Sequence, residues 1–599
     1  MIGFRIWLPQ TITFFYIYSK LTNNLLIMNY IRSSACFVLI VANVFSQSPQ
    51  VIETSPVSQS LIMAPSDPIL ITFDQPLNEA TITPNTFQVY GRWSGPMDGI
   101  YSFTANSTVV KFTPIRDFFY GELIRVGLSS GVQNMAGMPL TNGYGFSYWT
   151  KSLPASLDLE LVGQIDMREP GEGHITCYGA YAGDVNDDEF SDLVVITEDS
   201  DDIRVLLSDG SNNYEPFIIF ELPPGQGPST NAGADFNHDG LIDIAIGSTY
   251  GDQVNVLFGD ATTIFGSEFN YQTGEGVRGL TVADFNGDGW EDIATANRYA
   301  STISILMNDG TGLFEPAINI DSGFAGETSI AATDLNGDGY VDLLVATHDS
   351  NNVVSLLNDG TGNFTVFDSV SVGTGPWKMA IGDVNGDGFV DIAIANRFTD
   401  DISIVRTDGS GGLQFDAQYI VGDFPVAIDL GDIDGDGDLD FISSNVSESN
   451  YVLMENDGSG FFVNPRIYPT VPQGMAACAT IHDRNNDGAM DISMIDESED
   501  VVLLYGNTVN LGNDEQVADI DLVLYPNPFN NNIYVGGSIM GPVKLVLYDI
   551  QGRQILTQYM GTAKQFYIGE IGLSEGIYIA ELYHNGNSQN IKMYKIPQN

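Results

Sequence analysis

Residues 284–292 read Asp-Phe-Asn-Gly-Asp-Gly-Trp-Glu-Asp, and close copies of this nine-residue acidic loop occur seven times along the chain. Successive copies begin 49 to 51 residues apart, at Asp184, Asp235, Asp284, Asp334, Asp383, Asp432 and Asp483. A period this regular indicates one supersecondary unit that is repeated and stacked seven times. The loop therefore predicts the architecture of the central part of the chain.

The third copy shows what the repeated unit contains. Short alternating or apolar runs predict four strands, at Arg278–Ala283, Ile293–Asn297, Ile303–Met307 and Phe314–Ile320. The acidic loop joins the first two strands, and Asn308-Asp309-Gly310 reverses the chain after the third, with glycine at a position that needs positive φ. Four antiparallel strands in each fifty residues are typical of a propeller blade. We therefore predict an all-β chain with a seven-bladed β-propeller over residues 157–509.

The two ends of the repeat array predict how the ring closes. The seventh unit runs out of strands after Val501–Tyr505, one strand short of the others. Residues 157–165, before the first loop, have the spacing of a fourth strand. We expect this segment to complete the seventh blade, because closure pairs edges that an open array would expose. An open solenoid with capped ends is the alternative.

Each loop carries side-chain oxygens at positions 1, 3, 5 and 9, which is the kind of donor set that Ca²⁺ takes. Glycine at position 6 permits the positive φ that turns the chain around an ion. In the first loop Glu189 stands at that position, so we expect the first site to bind less tightly. The candidate metal ligands are Asp184, Asn186, Asp188, Asp192, Asp235, Asn237, Asp239, Asp243, Asp284, Asn286, Asp288, Asp292, Asp334, Asn336, Asp338, Asp342, Asp383, Asn385, Asp387, Asp391, Asp432, Asp434, Asp436, Asp440, Asp483, Asn485, Asp487 and Asp491.

The loops have two other interpretations. An EF-hand needs a glutamate at position 12 and flanking helices, whereas these loops have Val, Ile, Thr, Ser or Met there and strand-like flanks. Aspartate-rich turns without metal stay open as an alternative, although seven copies in phase favour metal. Mg²⁺ is disfavoured because it prefers a rigid octahedron with retained waters.

With the pattern D-x-[DN]-x-D-G-x-x-D in six units, and with Glu189 in place of the glycine in the first, the chain resembles the FG-GAP/VCBS repeat family, which includes the propeller of integrin α-chains. The resemblance implies up to seven Ca²⁺ ions on one face of the disc and partners on the opposite face. The second strands read Asp-Ile-Ala-x-Ala-Asn in place of the Phe-Gly and Gly-Ala-Pro signatures. This departure puts integrin-like ligand recognition in doubt.

The segments on either side of the repeats carry their own signals. Residues 50–150 alternate apolar and polar residues in short strands, and FDQPLNEATITPNTFQVYG with the closing FSYWT resembles bacterial Ig-like domains. Residues 510–519 are a polar linker. In residues 520–597, YPNPF, LYDIQGR and LSEGIYIAEL resemble the C-terminal sorting domain of the type IX secretion pathway of Bacteroidota. This resemblance implies that the secretion machinery is a partner and that the protein is exported across the outer membrane.

The first 46 residues are expected to be a leader. Met28 starts a stretch in which Arg32 is followed by an apolar run and a plausible cleavage site before Gln47, so Met28 is the expected true start. No later segment is apolar enough over a sufficient length to cross a bilayer. The mature chain is therefore expected to lack a membrane span.

The composition excludes several classes of partner. With 77 acidic and 22 basic residues the formal net charge is −55, which argues against binding nucleic acid or an anionic membrane surface. Besides Cys36 in the leader there are two cysteines, Cys177 and Cys478, too few for a disulfide scaffold. They fall in the first strands of blades one and seven, where two free thiols are favoured over a disulfide.

The predicted function is recognition. Arg298-Tyr299 and Arg397-Phe398 recur at matched points on the face opposite the acidic loops, which suggests a surface for a glycan or a cell-surface protein. The alternative role for these residues is to join neighbouring blades. No catalytic residues or organic cofactor are predicted, because no Ser or Cys nucleophile motif lies near the few histidines. The sequence favours a secreted, non-catalytic adhesion or recognition protein; the alternative is an extracellular polysaccharide lyase or hydrolase.

Overall fold

The computed structural model describes residues 47–210, 212–509, 523–525, 532–536, 543–549, 553–560, 565–567, 573, 576–584 and 587–595. The predicted leader and the predicted linker lie outside these residues. The described residues form an all-β structure, as predicted, with one short 3-10 turn at Glu79–Thr81. The chain divides into two compact units, Met1–Asn510 and Leu511–Asn599, which are described separately.

The N-terminal part of the first unit is a β-sandwich of two four-stranded antiparallel sheets. The strands are β1 (Val51–Ser55), β2 (Ile69–Phe73), β3 (Phe87–Gly91), β4 (Gly95–Pro96), β5 (Gly99–Thr104), β6 (Val109–Pro114), β7 (Leu123–Leu128) and β8 (Tyr144–Trp149). One sheet has the order β1-β2-β6-β5 and the other β4-β3-β7-β8. Their alternating inward residues, such as Ile71, Phe112 and Val126, form one fully buried core between the sheets, as period-2 patterning requires.

The repeats form seven four-stranded antiparallel sheets. The strands are β9 (Glu160–Asp166), β10 (Cys177–Gly183), β11 (Asp192–Thr197), β12 (Asp202–Leu206), β13 (Ile218–Glu221), β14 (Pro228–Ala234), β15 (Asp243–Ser248), β16 (Gln253–Asp260), β17 (Ile264–Gln272), β18 (Val277–Ala283), β19 (Asp292–Asn297), β20 (Thr302–Leu306), β21 (Ile318–Ile320), β22 (Glu327–Thr333), β23 (Asp342–Thr347), β24 (Asn352–Asn358), β25 (Phe364–Ser371), β26 (Pro376–Gly382), β27 (Asp391–Asn396), β28 (Asp401–Thr407), β29 (Leu413–Ile420), β30 (Pro425–Gly431), β31 (Asp440–Asn445), β32 (Asn450–Asn456), β33 (Phe462–Pro469), β34 (Ala476–His482), β35 (Asp491–Asp496) and β36 (Val501–Gly506). The fourth strand of the third sheet, β21, is shorter than predicted, because residues 314–317 contribute only an isolated bridge at Phe314.

The ring closes as the sequence predicts. β9 pairs antiparallel with β36 and supplies the fourth strand of the seventh sheet, with the order β34-β35-β36-β9. The first strand of each sheet packs against the first strand of the next, and β34 packs against β10. The second strands are buried along their whole length, since they lie between neighbouring sheets. The hydrophobic core of the ring therefore consists of separate clusters, each of which lies between neighbouring sheets.

The Asn-Asp-Gly turns hold neighbouring blades together, which the sequence did not reveal. Asn358 Nδ2 donates to the carbonyl oxygen of Phe285 in the acidic loop of the preceding blade at 2.8 Å, and to that of Val341 in its own loop at 2.9 Å. Its Oδ1 accepts the N–H groups of Gly360 and Gly362. Asn308 and Asn456 make the matching bonds in the third and sixth blades, so the turns also fix the loops.

Every first strand has a register shift at its second residue, the pattern of a β-bulge. The seven shifted residues are Tyr178, Ser229, Arg278, Thr328, Trp377, Val426 and Ala477. A bulge re-aims the side chain that it carries. All but Thr328 line a cavity of about 360 Å³ that is bordered by the first strands of all seven blades, and they lie at the end of the strands away from the acidic loops.

Cys177 and Cys478 are both free, as favoured from the sequence. Cys177 is fully buried and Cys478 half-buried, in the adjacent strands β10 and β34. Burial raises the pKa of both thiols, which keeps them protonated and unreactive at neutral pH.

The second unit contains two sheets in its described residues. The strands are β37 (Val523–Tyr525), β38 (Asn532–Gly536), β39 (Val543–Asp549), β40 (Gln554–Met560), β41 (Gln565–Tyr567), β42 (Gly576–His584) and β43 (Asn587–Lys595). One sheet has the order β37-β38-β41 and the other β40-β39-β42-β43. Leu545, Leu547 and Ala580 are fully buried. In the part of the chain that the structure describes, no helix has the length and apolarity needed to cross a membrane.

Candidate metal centres

All the acidic loops except the sixth are nests of hydrogen bonds centred on the aspartate at position 1. In the third loop Asp284 Oδ1 accepts Gly287 N–H at 2.8 Å, and Oδ2 accepts Gly289 N–H at 2.7 Å. Asp288 Oδ1 accepts Trp290 N–H at 2.9 Å. Residues at positions 4 and 6 are left-handed in all seven loops; only position 6 was predicted. These bonds hold the oxygens of positions 1, 3 and 5 on the inside of one tight turn.

The position-9 aspartates are at most 1% exposed and anchor the loop to the blade. In the third loop Asp292 Oδ2 accepts Phe285 N–H at 3.0 Å, and Oδ1 accepts Asn308 N–H at the end of β20 at 2.7 Å. The same pair of bonds recurs in every loop except the fifth. Each carboxylate oxygen keeps a second lone pair, so the anchoring role leaves room for a cation.

The sixth loop has the donor arrangement that fits a cation best. Carboxylate oxygens of Asp432, Asp434 and Asp436 lie within 4.8 Å of one another, the one such group of acids, histidines or cysteines found among the described residues. Buried Oδ1 atoms of Asp432, Asp434 and Asp438 have no hydrogen-bond partner. Burial raises the pKa of Asp432 to about 7, and the neighbouring carboxylates of Asp436 and Asp434 contribute to the increase. Crowded, desolvated carboxylate oxygens without donors fit a hard divalent cation.

Asp438 was missed in the sequence analysis, because only the side chains at positions 1, 3, 5 and 9 were counted as donors. It stands at position 7, where the other loops have aromatic, Leu or Ala residues. An acid in place of an apolar residue at that position was the available signal.

Arginine side chains contact candidate metal ligands in three of the other loops. Arg116 contacts Asp184 at 3.3 Å and Asp187 at 3.1 Å in the first loop. Arg406 contacts Asp391 at 2.7 Å in the fifth. In the seventh, fully buried Arg484 lies 3.6 Å from Asp491. A guanidinium group repels a metal ion, so these contacts predict weaker sites in the first, fifth and seventh loops than in the sixth.

The first loop also carries backbone strain. Glu189 has φ of 69°, as predicted from its place in the pattern, whereas the other six loops have glycine there. Replacing Glu189 with glycine is expected to stabilise the protein by about 1 kcal/mol, because the left-handed conformation costs a residue with a Cβ about that much. Glu189→Ala is the matched control, since it removes the carboxylate but keeps the Cβ. Chemical denaturation measures both; equal effects of the two substitutions would contradict the strain argument.

The N-terminal sandwich and the segment after it cover the face of the ring that bears the acidic loops. Ser130 N–H donates to the Gly287 carbonyl at 2.7 Å, and Gly145 N–H donates to the Gly339 carbonyl at 2.8 Å. Leu153 N–H and Ala155 N–H bond to the seventh and sixth loops in the same way. These bonds use carbonyl oxygens of the loops themselves, so the shape of the loops determines the docking surface.

Charged and aromatic side chains strengthen this interface. Arg92 makes a bidentate contact with Asp429, at 2.9 and 3.0 Å, across the inner wall of the ring. Arg125 Nη1 donates to the Val282 carbonyl at 2.6 Å. Trp93 is 1% exposed and joins the core of the first and seventh blades. One end of the central cavity is therefore closed by the sandwich.

The opposite face is free of the sandwich and carries the residues singled out from the sequence. Arg298 and Arg397 both place their guanidinium groups over the ring of Trp377, at 4.8 and 3.9 Å from its centroid. Tyr299 and Phe398 are 54% and 56% exposed. Arg298 thus connects blade three with blade five, and Arg397 of blade five contacts the ring of Phe424, next to the first strand of blade six, at 4.1 Å. The arginines join blades, as the alternative interpretation held, while the aromatic rings beside them remain open to solvent.

Comparison with known proteins agrees with this architecture. A model of the FG-GAP-like repeat matches residues 184–246, 235–295, 284–345, 334–394, 383–443 and 432–494. A bacterial Ig-like domain matches residues 46–150, and a secretion system C-terminal sorting domain matches residues 523–595. No curated protein matches the chain. The sorting domain marks the protein for type IX secretion to the cell surface or the medium, and makes that machinery a partner.

Among solved structures the similarities are distant. A chain in the crystal structure of BBS1N in complex with ARL6DN is 12% identical, with a TM-score of 0.42, and the match covers 61% of this chain and 99% of that one. A protein from Lactobacillus plantarum is 14% identical, with a TM-score of 0.39 and coverage of 65% and 98%. A putative 6-phosphogluconolactonase from Bacteroides uniformis is 14% identical, with a TM-score of 0.37 and coverage of 66% and 98%.

None of these likenesses bears on function. The family matches, in contrast, identify the family, because the overlapping repeat matches run without a gap from residue 184 to residue 494. That span is more than half of the 599-residue chain, and it coincides with the ring of sheets that carries the acidic loops. The chain belongs to the FG-GAP-like repeat family.

Proposed function

We propose that this chain is a secreted, calcium-binding propeller that recognises a glycan or a protein at the bacterial cell surface without catalysing a reaction. The observation that carries the proposal is the difference between the two faces of the ring. The sandwich occupies the face with the acidic loops, whereas the opposite face combines arginines with exposed aromatic rings. Aromatic and arginine side chains are enriched at recognition surfaces.

Calcium has a structural role in this proposal. Oxygens of positions 1, 3 and 5 would hold each ion, with position 9 completing the set, in up to seven loops. A bound ion supplies positive charge where carboxylates otherwise repel one another, and so stabilises the folded loop relative to the unfolded chain. The sixth site is the tightest and the first the weakest, in line with the unpartnered oxygens of Asp432 and Asp434 and the ion pair between Arg116 and Asp184.

The competing function is polysaccharide cleavage by a lyase or hydrolase. The histidines of the repeats are engaged in the fold. His482 is fully buried between Ser191 and Ser493, at 2.9 Å from each hydroxyl. His348 contacts the rings of Trp377 and Phe398 edge-on. His174 bonds to Asp500 at 2.9 Å. These contacts indicate that the three histidines have structural roles, which favours recognition over catalysis.

The test is a binding screen combined with product analysis. The full secreted chain, with calcium present, is applied to an array of glycans and to cell-surface protein extracts, and each polysaccharide is then checked for shortening by size-exclusion chromatography. We expect binding without product. Replacing both Tyr299 and Phe398 with alanine is expected to reduce binding at least tenfold. The matched control is Phe367→Ala, at an equally exposed ring on the outer strand β25. Shortened polysaccharide would establish the enzymatic alternative instead.

A further inference from the structure

We propose that the face of the ring opposite the acidic loops, called the mouth, binds an anionic polysaccharide that carries carboxylate or sulfate groups. The binding surface is the half of the mouth formed by blades three to five. The inference rests on the proposed recognition function and names the class of ligand. It is carried by three features: guanidinium groups without an ion-pair partner within 4.0 Å among the described residues, flat aromatic rings exposed to solvent, and an uneven distribution of charge around the mouth.

The centre of the mouth is filled by the large bulge residues of the first strands, Tyr178, Arg278 and Trp377, which together are called the plug. Trp377 Nε1 donates to the hydroxyl oxygen of Tyr178 across the ring at 2.9 Å. Arg278 lies over both rings, at 5.5 Å from the Tyr178 centroid and 5.6 Å from that of Trp377. The small bulge residues between them bond to the next blade, as Thr328 does with the Pro376 carbonyl. The plug therefore fixes the position of the indole ring.

Two of the three guanidinium groups on that indole lack a carboxylate. Arg278 is paired with Glu198 at 3.3 Å. Arg298 and Arg397 have no acidic oxygen within 4.0 Å among the described residues, in a chain with 77 acids and 22 bases. Arg397 is held between the rings of Trp377 and Phe424, at 3.9 and 4.1 Å, and its buried Nε has no hydrogen-bond partner. Stacking fixes the plane of the guanidinium, and its N–H edge remains to meet an anion.

Burial and the positive charges of neighbouring arginines act together on the Arg397 guanidinium group. Desolvation lowers the pKa of Arg397 to about 10, assisted by Arg298 and Arg278 and opposed by Tyr178 and Glu497. An anion placed between Arg298 and Arg397 would relieve their mutual repulsion. At an ionic strength of about 0.15 M the screening length is roughly 8 Å, so the distant acidic surface does not cancel this local charge.

Aromatic platforms stand beside these arginines. Tyr250, Tyr299 and Phe398 occupy the same place in blades two, three and five, and each is more than half exposed. A Cβ on the glycine of the neighbouring loop would lie 2.3 Å from the Tyr250 ring at Gly227 and 2.4 Å from the Tyr299 ring at Gly276. One side of each ring thus rests on backbone and the other faces solvent. An open aromatic face packs against the C–H face of a sugar ring.

The charge around the mouth is divided. The residue that follows the second strand is Arg298 in blade three and Arg397 in blade five, but Glu198 in blade one and Glu497 in blade seven. In blade four it is His348, whose pKa is lowered by burial, so that it adds no positive charge at neutral pH. An anionic chain is therefore directed to blades three to five and repelled from blades seven and one. The platforms of blades three and five flank the same half, which favours a polysaccharide over an acidic peptide.

The experiment measures binding of the full chain, with calcium held constant, to polysaccharides that differ in charge. Dextran sulfate and polygalacturonate test the sulfate and carboxylate arms, unmodified dextran is the neutral control, and poly-glutamate tests the peptide alternative. We expect at least tenfold tighter binding to one of the two anionic glycans than to dextran or poly-glutamate. The double substitution Arg298→Gln with Arg397→Gln is expected to abolish that preference, and Arg466→Gln, which removes a charge from the outer strand β33, is expected to leave it unchanged.

The melting temperature of each variant is measured in calcium as a check that the variant remains folded. The single substitution Arg298→Gln replaces the double variant if the double variant unfolds. Unchanged glycan binding in the arginine variant, or equal binding to dextran and dextran sulfate, would overturn the proposal. Tighter binding to poly-glutamate would assign the mouth to an acidic peptide. If neutral glycans or proteins bind in the wider screen while neither anionic glycan does, the recognition function stands and this inference fails; if nothing binds, both fail.

Discussion

Removal of calcium with a chelator is expected to lower the melting temperature of the protein by about 10 °C or more. A ligand present at 100 times its dissociation constant stabilises the folded state by about 2.7 kcal/mol per site. Several such sites act together, and each kcal/mol is equivalent to roughly 2–4 °C even in larger domains. The buried carboxylates of each loop lose their counter-ion at the same time, which leaves crowded negative charge in the folded state.

The melting experiment is made with matched calcium-free and calcium-saturated samples at constant ionic strength, followed by re-addition of calcium. Asp432→Asn and Asp184→Asn report on the sites with the best and the poorest donor sets. We expect the first substitution to reduce the calcium-dependent shift more than the second, since Arg116 already neutralises part of the charge of Asp184. A chelated sample that melts with the untreated one would refute a structural role for the ion.

Replacing Gly287 with alanine is expected to loosen the N-terminal sandwich from the ring. Gly287 has φ of +69°, and a Cβ there would lie 2.0 Å from the carbonyl oxygen of Asn142 in the sandwich. Backbone atoms cannot yield as a flexible side chain does, so the β7–β8 connection must shift. The expected cost is on the order of 1–3 kcal/mol beyond the strain of the backbone conformation itself.

Gly386→Ala is the matched control for this prediction. It occupies the same position in the fifth loop, with φ of +73°, but a Cβ there meets nothing within 4 Å. Both substitutions place alanine in a left-handed conformation, so the difference between them isolates the contact with the sandwich. Limited proteolysis near residues 151–156 should separate the sandwich faster in Gly287→Ala. Equal proteolysis and equal stability of the two variants would argue against docking on the loops.

Features with a local cause were predictable from the sequence. The number of blades follows from the spacing of the loops, and the strand that completes the seventh blade follows from a missing fourth strand. The left-handed conformation of Glu189 follows from its alignment with six glycines. In each case a repeated pattern, or the one place where that pattern is incomplete, is enough to reveal the structure.

Features that depend on distant contacts were not predictable. The acidic loops reveal their oxygens, but not that Asp292 anchors the end of β20 or that Ser130 bonds to the Gly287 carbonyl. Nor does the sequence show that Trp377 meets arginines from two different blades. The Ser130 contact forms only when the sandwich has docked, and the contact between Arg298 and Trp377 forms only when blades three and five lie in one ring.

The central claim is that the acidic loops bind divalent ions and that these ions stabilise the ring. Native mass spectrometry of the purified chain, titrated with calcium, tests it most directly by counting bound ions. We predict several calcium ions per chain, up to seven. Asp432→Asn is expected to remove the ion that binds at the lowest calcium concentration, whereas Asp184→Asn is expected to change the number of bound ions little. A chain that retains its folded charge-state distribution but binds no calcium at saturating concentration would contradict the account.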